Sequence, residues 1–216
     1  MDFDWLVIGS GFGGSVSALW LSEKGYRVGV LECGRRFADD ELPKSTWDVR
    51  RYWWLPRLGM KGILRLTIFK DVAIVSGSGV GGGSLVYANT LYRAPARFYR
   101  DPQWADLEDW QAVLAPHYET AERMLGVTTY DQDDPADDLL REYAEEIGVG
   151  GTYAKTRVGV YLGEPGVTVK DPFFGGAGPD RTGCMRCGRC MAGCPHGAKN
   201  TLRKNYLWFA ERAGAQ

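Results

Sequence analysis

The chain has 216 residues, of which 44% are hydrophobic and 25% are charged, a balance typical of globular proteins. Its formal net charge of −1 gives no electrostatic basis for binding nucleic acid or an anionic membrane, so we expect neither partner. No apolar run has the length of a transmembrane segment. The first predicted strand begins at Trp5, which leaves no room for a signal peptide, and the expected location is therefore the cytoplasm.

The first predicted elements are a strand, a glycine turn, a helix and a second strand. An apolar run over 5–8 is followed by a helical pattern over 15–24, and a second apolar run over 26–31 ends on Glu32. The turn between the first strand and the helix has the pattern Gly9-Ser10-Gly11-Phe12-Gly13-Gly14. This order is typical of a dinucleotide-binding β–α–β unit, in which parallel strands are joined by a helix.

The glycines and the acid of that pattern each have a physical purpose in binding a dinucleotide. Gly9 permits the sharp turn, Gly11 lets the backbone approach a pyrophosphate, and Gly14 lets the helix pack close to the strand. The helix N-terminus presents unpaired N–H groups to the phosphates, and Glu32 can accept hydrogen bonds from ribose hydroxyls. Glu32 disfavours NADP as the cofactor but does not distinguish FAD from NAD. The predicted cofactor residues are Gly9, Ser10, Gly11, Phe12, Gly13, Gly14 and Glu32.

A second glycine-rich segment follows a short predicted strand over 71–75. Five glycines lie within the seven residues from Gly77 to Gly83, a density that disfavours a helix or strand. Such a segment exposes backbone N–H groups and admits a ligand to close range. The flanking strand and the apolar Leu85 and Val86 indicate a packed loop, whereas the alternative is a flexible hinge.

The two glycine segments in this order resemble the glucose–methanol–choline (GMC) oxidoreductases, and within that family the bacterial cholesterol-oxidase branch. The resemblance rests on the first glycine turn and on the stretch Gly-Val-Gly-Gly-Gly-Ser-Leu-Val that ends at Val86. It implies an FAD cofactor that Gly81, Gly83 and Ser84 contact. Many members carry Asn-Gly three residues after the serine, whereas this chain has Tyr87-Ala88-Asn89, and we include Asn89 among the expected cofactor contacts.

The predicted fold class is α/β, with a Rossmann-like FAD-binding domain of parallel strands and helices and a largely helical insertion. We expect the first part of the FAD domain over 1–99, the insertion over 100–183, and a cysteine-rich loop and helix over 184–216 that lead back to the FAD domain. Within the insertion, apolar spacing predicts a helix over 109–125, kinked or split at Pro116. The remaining predicted elements are a helix over 136–147, a strand over 156–162 and a final helix over 200–213.

Four cysteines form the run Cys184-x-x-Cys187-x-x-Cys190-x-x-x-Cys194-Pro195. The spacing matches the bacterial ferredoxin motif and predicts a [4Fe–4S] or [3Fe–4S] cluster. A zinc site is a second interpretation, although four-cysteine zinc sites usually join two pairs across a longer loop. Reduced thiols without a metal are the third. The family resemblance fits two of these, because many cholesterol-oxidase-like members are described simply as FAD enzymes, while some related flavin sugar dehydrogenases carry a cluster near here.

The sequence supports three hypotheses about function. The first is the N-terminal portion of an FAD-dependent oxidoreductase that oxidises an alcohol, with a sterol as a plausible substrate. The second is a flavin and iron–sulfur dehydrogenase module that passes electrons to a protein or quinone acceptor. The third is an inactive, truncated fragment. The resemblance implies that the catalytic histidine pair lies beyond Gln216, since neither His117 nor His196 belongs to that motif, so the catalytic residues are unknown and the remainder of the chain is an expected partner.

Overall fold

The computed structural model describes residues 2–216. Within this range none of the helices is long and apolar enough to cross a membrane. The α-helices are α1 (Phe12–Glu23), α2 (Val49–Tyr52), α3 (Ala96–Tyr99), α4 (Trp110–Met124), α5 (Pro135–Glu146) and α6 (Tyr206–Arg212).

The strands of the described residues form five two-stranded sheets. The pair β1–β2 is parallel and the other four pairs, β3–β4, β5–β6, β7–β8 and β9–β10, are antiparallel. The strands are β1 (Trp5–Ile8), β2 (Val28–Leu31), β3 (Trp54–Leu55), β4 (Met60–Lys61), β5 (Leu64–Ile68), β6 (Ala73–Gly77), β7 (Thr128–Thr129), β8 (Arg157–Val158), β9 (Thr168–Val169) and β10 (Arg181–Thr182).

The first two strands and α1 form a parallel β–α–β unit. The register pairs Trp5 with Val28 and Ile8 with Leu31, and α1 connects the two strands across one face of the sheet. A crossover helix between adjacent parallel strands defines a Rossmann-like unit. The predicted α/β fold class is therefore confirmed, while the division into residues 1–99, 100–183 and 184–216 stays a prediction.

The beginning and end of the chain share one apolar core. Helix α6 packs along α1, and the backbone of Gln216 pairs with β2, donating to the Val28 carbonyl at 3.0 Å and accepting from the Val30 amide at 2.7 Å. Residue 216 thus continues the hydrogen bonding of the sheet. The buried members of this core are Ala18, Leu19, Val28, Leu125, Leu202, Tyr206, Leu207, Ala210 and Ala215.

A second core lies under the second glycine segment. It joins the loop after β2, the β4–β5 connection, the apolar residues that follow Gly83 and one residue of the cysteine-rich loop. Its buried members are Phe37, Leu42, Tyr52, Ile63, Leu64, Leu85, Val86 and Ala192. This core fixes the second glycine segment in place, as the packed-loop interpretation expected. The expectation that the segment contains no helix or strand is wrong at its two ends, because Gly77 is the last residue of β6 and Gly82–Leu85 form a 3-10 helix.

The small parallel sheet leaves apolar side chains in contact with solvent. Ile8 is 80% exposed, Leu6 58% and Leu31 55%. Parallel sheets usually have both faces covered by helices, whereas here only two strands pair and α1 and α6 cover a single face.

Three predicted elements differ from the observed ones. The predicted helix over 109–125 is observed as α4, which Pro116 does not split in two, because a proline within a helix removes only one backbone donor. A kink at Pro116 stays a prediction. The predicted strand over 156–162 is observed as β8 and a separate bridge at Val160, because the partner changes along it: β8 pairs with β7, whereas Val160 pairs with Lys199. The predicted helix over 200–213 begins at Tyr206, after a 3-10 turn over 202–204.

Candidate functional site

The turn after β1 brings the backbone of the first glycine motif close to α1. Gly9 has φ +88°, a conformation that favours glycine. A Cβ atom on Gly14 would lie 1.9 Å from the Gly9 carbonyl oxygen, so only glycine permits this approach. Gly11 precedes the first helical residue, and a Cβ atom added to Gly11 would meet nothing within 4 Å. The start of α1 therefore opens onto free space, with the unpaired N–H groups of its first turn available to a ligand.

Glu32 connects the end of β2 to this turn. Its Oε2 accepts from the Ser10 amide at 3.0 Å and from the Ser10 hydroxyl at 2.7 Å, and its Oε1 accepts from the Gly34 amide at 2.9 Å. Burial opposes ionisation of Glu32, but these hydrogen bonds outweigh it and lower the pKa of the carboxyl below its usual value. The carboxylate is thus ionised and keeps lone pairs for a further donor such as a hydroxyl.

The second glycine segment packs directly on the first. The Gly81 amide donates to the Ser10 hydroxyl at 3.0 Å, so Ser10 joins Glu32 to both glycine segments. A Cβ atom on Gly82 would lie 2.8 Å from the Gly11 Cα, and one on Gly34 would lie 2.2 Å from the Gly79 amide nitrogen. A side chain at Gly82 would force the two glycine segments apart, and one at Gly34 would force the loop after β2 away from the second segment.

An open groove of about 660 Å³ runs between the two segments. This volume lies within the range of small-molecule and cofactor sites. The groove is lined by Gly9, Gly11, Phe12, Glu32, Cys33, Leu64, Val75, Ser76, Gly77, Gly82, Gly83, Val86, Tyr87 and Met191.

Some of the predicted cofactor residues line the groove, and the others lie behind or beside it. Five of them line it, namely Gly9, Gly11, Phe12, Glu32 and Gly83. The remaining ones lie behind or beside it: Ser10, Gly13, Gly14, Gly81, Ser84 and Asn89.

Two of the supporting residues use their side chains within the protein. Ser84 is fully buried, and its hydroxyl donates to the Gly81 carbonyl at 2.7 Å and accepts from the Leu202 amide at 3.0 Å. Asn89 Nδ2 donates to the Cys190 Sγ at 2.9 Å. Contact of Ser84 and Asn89 with a cofactor stays a prediction, and their observed contacts hold the second glycine segment to the C-terminal part of the chain.

Tyr87 and Met191 border the groove without having been predicted. Tyr87 packs edge-on against Phe12, with ring centroids 6.2 Å apart, and its hydroxyl donates to the Asn200 carbonyl at 3.1 Å. The departure of Tyr87 from the pattern that the family resemblance implies was the available signal. Met191 lies within the cysteine run. The cysteine spacing predicts metal ligands but does not indicate that this segment reaches the groove.

The four clustered cysteines line a separate pocket of about 280 Å³, together with Asn89, His196 and Ala198. All four are free thiols. Across residues 2–216, no group of three or more His, Cys, Asp or Glu side chains is arranged to hold a metal ion. The geometry therefore gives no support to the iron–sulfur or zinc interpretations of Cys184, Cys187, Cys190 and Cys194.

A buried lysine links the cysteine run to the residues that follow the second glycine segment. Lys199 is 1% exposed, and its Nζ donates to the Leu85 carbonyl at 2.9 Å and to the Cys190 carbonyl at 2.8 Å. Burial lowers the pKa of Lys199 to about 7, against the raising effect of negative charge at Cys190 and Cys194. From the sequence, the charge of Lys199 is expected to favour deprotonated thiols in the cysteine run, whereas its contact with Leu85 joins residues 114 positions apart and has no local signal.

A comparison with known protein families shows which family this chain belongs to. The family model described as GMC oxidoreductase matches residues 3–160 of the 216. The chain belongs to the GMC oxidoreductase family. The resemblance that the two glycine segments indicated is therefore confirmed. The matched range contains both glycine segments and Glu32, and it ends before the cysteine run.

Two cholesterol oxidases match this GMC chain over its whole length, and a more distant relative matches 68% of it. A cholesterol oxidase of Mycobacterium tuberculosis is 58% identical over 220 residues, covering 100% of this chain and 38% of the relative. A cholesterol oxidase of Acinetobacter baumannii is 49% identical, covering 100% of this chain and 39% of the relative. A long-chain-alcohol oxidase of Arabidopsis thaliana is 27% identical over 151 residues. The chain thus spans about two fifths of the cholesterol oxidases that it matches.

The residues of the groove fit the FAD cofactor of GMC oxidoreductases. The open start of α1, the bare backbone at Gly11 and the ionised Glu32 supply what an extended dinucleotide needs for its phosphates and ribose.

Proposed function

We propose that this chain is the FAD-binding part of an oxidoreductase that oxidises a CH–OH group, with a sterol as the substrate class. The observation that carries the proposal is the groove between the two glycine segments, closed on one side by the ionised Glu32. The sterol class is supported by the names of the two relatives that are 58% and 49% identical.

Each side of the groove contributes differently to holding the cofactor. The amides at the start of α1 would bind the pyrophosphate, and Glu32 would accept hydrogen bonds from ribose hydroxyls. Tyr87 and Met191 would form the wall further along the second glycine segment, where apolar and aromatic side chains exclude water. Bound FAD supplies the two-electron acceptor that the protein's own side chains lack.

We further propose that the group accepting the hydroxyl proton belongs to the part of the relatives that this chain does not match. Neither histidine of the chain borders the groove, since His117 is exposed on α4 and His196 lines the cysteine pocket. The electron acceptor and the specific sterol likewise depend on parts of the relatives outside this match.

A titration with FAD tests the cofactor assignment. We expect the chain to quench FAD fluorescence on binding, and Glu32→Gln to weaken binding about tenfold, because the amide loses an ionised acceptor for the ribose. Glu142→Gln, which changes an exposed carboxylate on α5, is the control and should bind as the original does. Equal affinities for all three proteins, or no binding by the original, would contradict the assignment.

A chimera tests the substrate class. The chain would replace the matched part of the Mycobacterium tuberculosis relative, and oxidation of cholesterol would be compared with that of a long-chain primary alcohol. We expect turnover of the sterol in preference to the primary alcohol. A folded, FAD-loaded chimera that prefers the primary alcohol, or oxidises neither, would count against a sterol substrate.

A further inference from the structure

A buried ammonium group lies behind one wall of the groove between the two glycine segments. Lys199 Nζ donates to the Leu85 carbonyl at 2.9 Å and to the Cys190 carbonyl at 2.8 Å. The same nitrogen lies over the Tyr87 ring, 4.4 Å from its centre, which is within the distance of a cation–π contact. Two carbonyls and one aromatic face can satisfy the three N–H donors of an ammonium group.

The charge of Lys199 is buried without a carboxylate partner. None of the ion pairs within residues 2–216 includes Lys199. A buried charge lowers stability unless hydrogen bonds satisfy it, and an apolar side chain of similar volume is often as stable or more stable. Packing alone therefore does not account for a lysine at this position, and the contacts made by its donors are the features to explain.

Each contact of Lys199 is with a residue that lines the groove or lies close to one in sequence. Tyr87 lines the groove itself, and Leu85 lies two residues before it. Cys190 directly precedes Met191, which also lines the groove. The first two residues follow the second glycine segment, whereas the last two belong to the cysteine run about a hundred positions later. Lys199 therefore joins the two pieces of chain that form this wall.

The backbone that carries Lys199 is held by an earlier segment of the chain. Lys199 forms an antiparallel bridge with Val160, and the Asn200 amide donates to the Gly159 carbonyl at 2.8 Å. The Asn200 carbonyl in turn accepts from the Tyr87 hydroxyl at 3.1 Å. The Tyr87 ring is thus held at its face and at its hydroxyl by two consecutive residues, and side chains locked in this way keep their direction before a ligand binds.

We propose that Lys199 is a positioning residue of the groove, which fixes Tyr87 and the turn that carries Met191 relative to one another, so that this wall is formed before the cofactor binds. Without the ammonium group, the carbonyls of Leu85 and Cys190 would lose their shared donor, and the two pieces of the wall would move independently. A preformed wall lowers the ordering cost of binding. The effect on FAD rests on the proposed function, whereas the connection between the two pieces does not.

The contact with the Tyr87 ring has a spectroscopic signature that needs no cofactor. Protons above an aromatic face resonate upfield, so the ammonium protons of Lys199 should lie upfield of those of the other lysines in NMR spectra of the ¹⁵N-labelled chain. The spectra are recorded at pH 6, below the pKa of about 7 that burial gives Lys199, and the signal is identified by its absence in Lys199→Arg. The upfield shift should disappear in Tyr87→Leu. The same position of the Lys199 signal in both proteins would overturn the contact.

Hydrogen–deuterium exchange of the cofactor-free chain at the same pH tests the connection between the two pieces of the wall. Lys199→Met keeps the length of the side chain and removes its donors, whereas Lys199→Arg keeps both charge and donors. Exchange of residues 85–91 and 190–193 should rise together in Lys199→Met, rise less in Lys199→Arg, and stay unchanged in Lys170→Met, which alters an exposed lysine. Unchanged exchange in Lys199→Met, a rise throughout the chain, or equal rises in the two Lys199 variants would overturn the proposal.

Titration with FAD measures the consequence for the groove separately. Lys199→Met should raise the Kd for FAD about tenfold, the size of one lost hydrogen bond to a charged group. Lys199→Arg should bind FAD more tightly than Lys199→Met, and Lys170→Met should bind it as the original chain does. If the original chain binds no FAD, the proposed function fails, while the NMR and exchange measurements still decide whether Lys199 connects the wall. Equal affinities of the original chain and Lys199→Met would overturn the role of Lys199 in cofactor binding.

Discussion

The glycines of the first motif differ in what a side chain would meet at each position. A Cβ atom at Gly14 would lie 1.9 Å from the Gly9 carbonyl oxygen, whereas one at Gly13 would meet nothing within 4 Å. Both residues lie in the first turns of α1. Gly14 is therefore required by the packing of helix against turn, and Gly13 is free of that requirement.

The difference between Gly13 and Gly14 predicts how alanine at each position changes the free energy of unfolding. Gly14→Ala should lower the free energy of unfolding by about 1–3 kcal/mol, because α1 must move away from the turn. Gly13→Ala should leave it unchanged or raise it by up to about 1 kcal/mol, because alanine is the better helix former. Urea unfolding followed by circular dichroism measures both. Equal effects of the two substitutions would show that the close approach at Gly14 is absent.

At the scale of elements, α4 is held to its surroundings by charge. Glu122 Oε1 accepts from Arg93 Nε at 2.8 Å and from Arg157 Nη1 at 2.6 Å, and Oε2 accepts from Arg93 Nη2 at 2.8 Å. These bonds join the helix to β8 and to the segment that follows the second glycine segment. The hydrogen bonds from Arg93, with those from Arg157 and the charges of both, outweigh burial and lower the pKa of Glu122 to about 2.

This lowered pKa predicts how stability depends on pH. Because the pKa of Glu122 is about 2 in the folded chain and 4.5 as its unperturbed value, its contribution is complete above about 4.5 and is lost as pH falls toward about 2. Glu122→Gln should be less stable than the original at neutral pH, and the difference should shrink through this window. Urea unfolding at several pH values measures it.

A matched carboxylate on α5 is the control for this experiment. Glu146 is exposed and has no ion pair with Arg93 or Arg157, so Glu146→Gln should stay close to the original chain throughout. A difference between Glu122→Gln and the original that does not change with pH would contradict the assignment of these ion pairs.

At the scale of the whole molecule, one core joins the two ends of the chain. Leu202 is fully buried among side chains of α1, β2 and α6, and the Leu202 amide is bonded to the Ser84 hydroxyl. The C-terminal 15 residues of the chain are thus part of the same packed unit as the first glycine motif.

The shared core predicts a large and cooperative effect of a substitution at Leu202. Leu202→Ala should lower the free energy of unfolding by about 2–5 kcal/mol, the cost of a cavity in a packed core. Leu139→Ala, at a side chain that is 66% exposed, should change it by no more than about 0.5 kcal/mol. Amide exchange in Leu202→Ala should rise in α1 and α6 together. A rise confined to α6 would show that the two ends unfold separately.

The sequence by itself determined the first β–α–β unit, the glycine turn and the position of Glu32. These features depend on residues within about thirty positions of one another, and the requirements of glycine and of apolar spacing act locally. The same local rules placed α4 and α5 to within one or two residues. They overestimated the length of the strand over 156–162, where Arg157 and Val158 pair with β7 but Val160 pairs with Lys199.

Only the tertiary structure decided which predicted residues face the groove. Ser84 directly follows Gly83 and Asn89 lies six residues beyond it, yet the side chains of Ser84 and Asn89 bond to Leu202 and Cys190. The cysteine spacing likewise indicated a metal, whereas the fold sets one neighbour of these cysteines, Met191, against the groove. The physical reason is that the direction of a side chain depends on partners about a hundred residues away, which no local pattern of residues specifies.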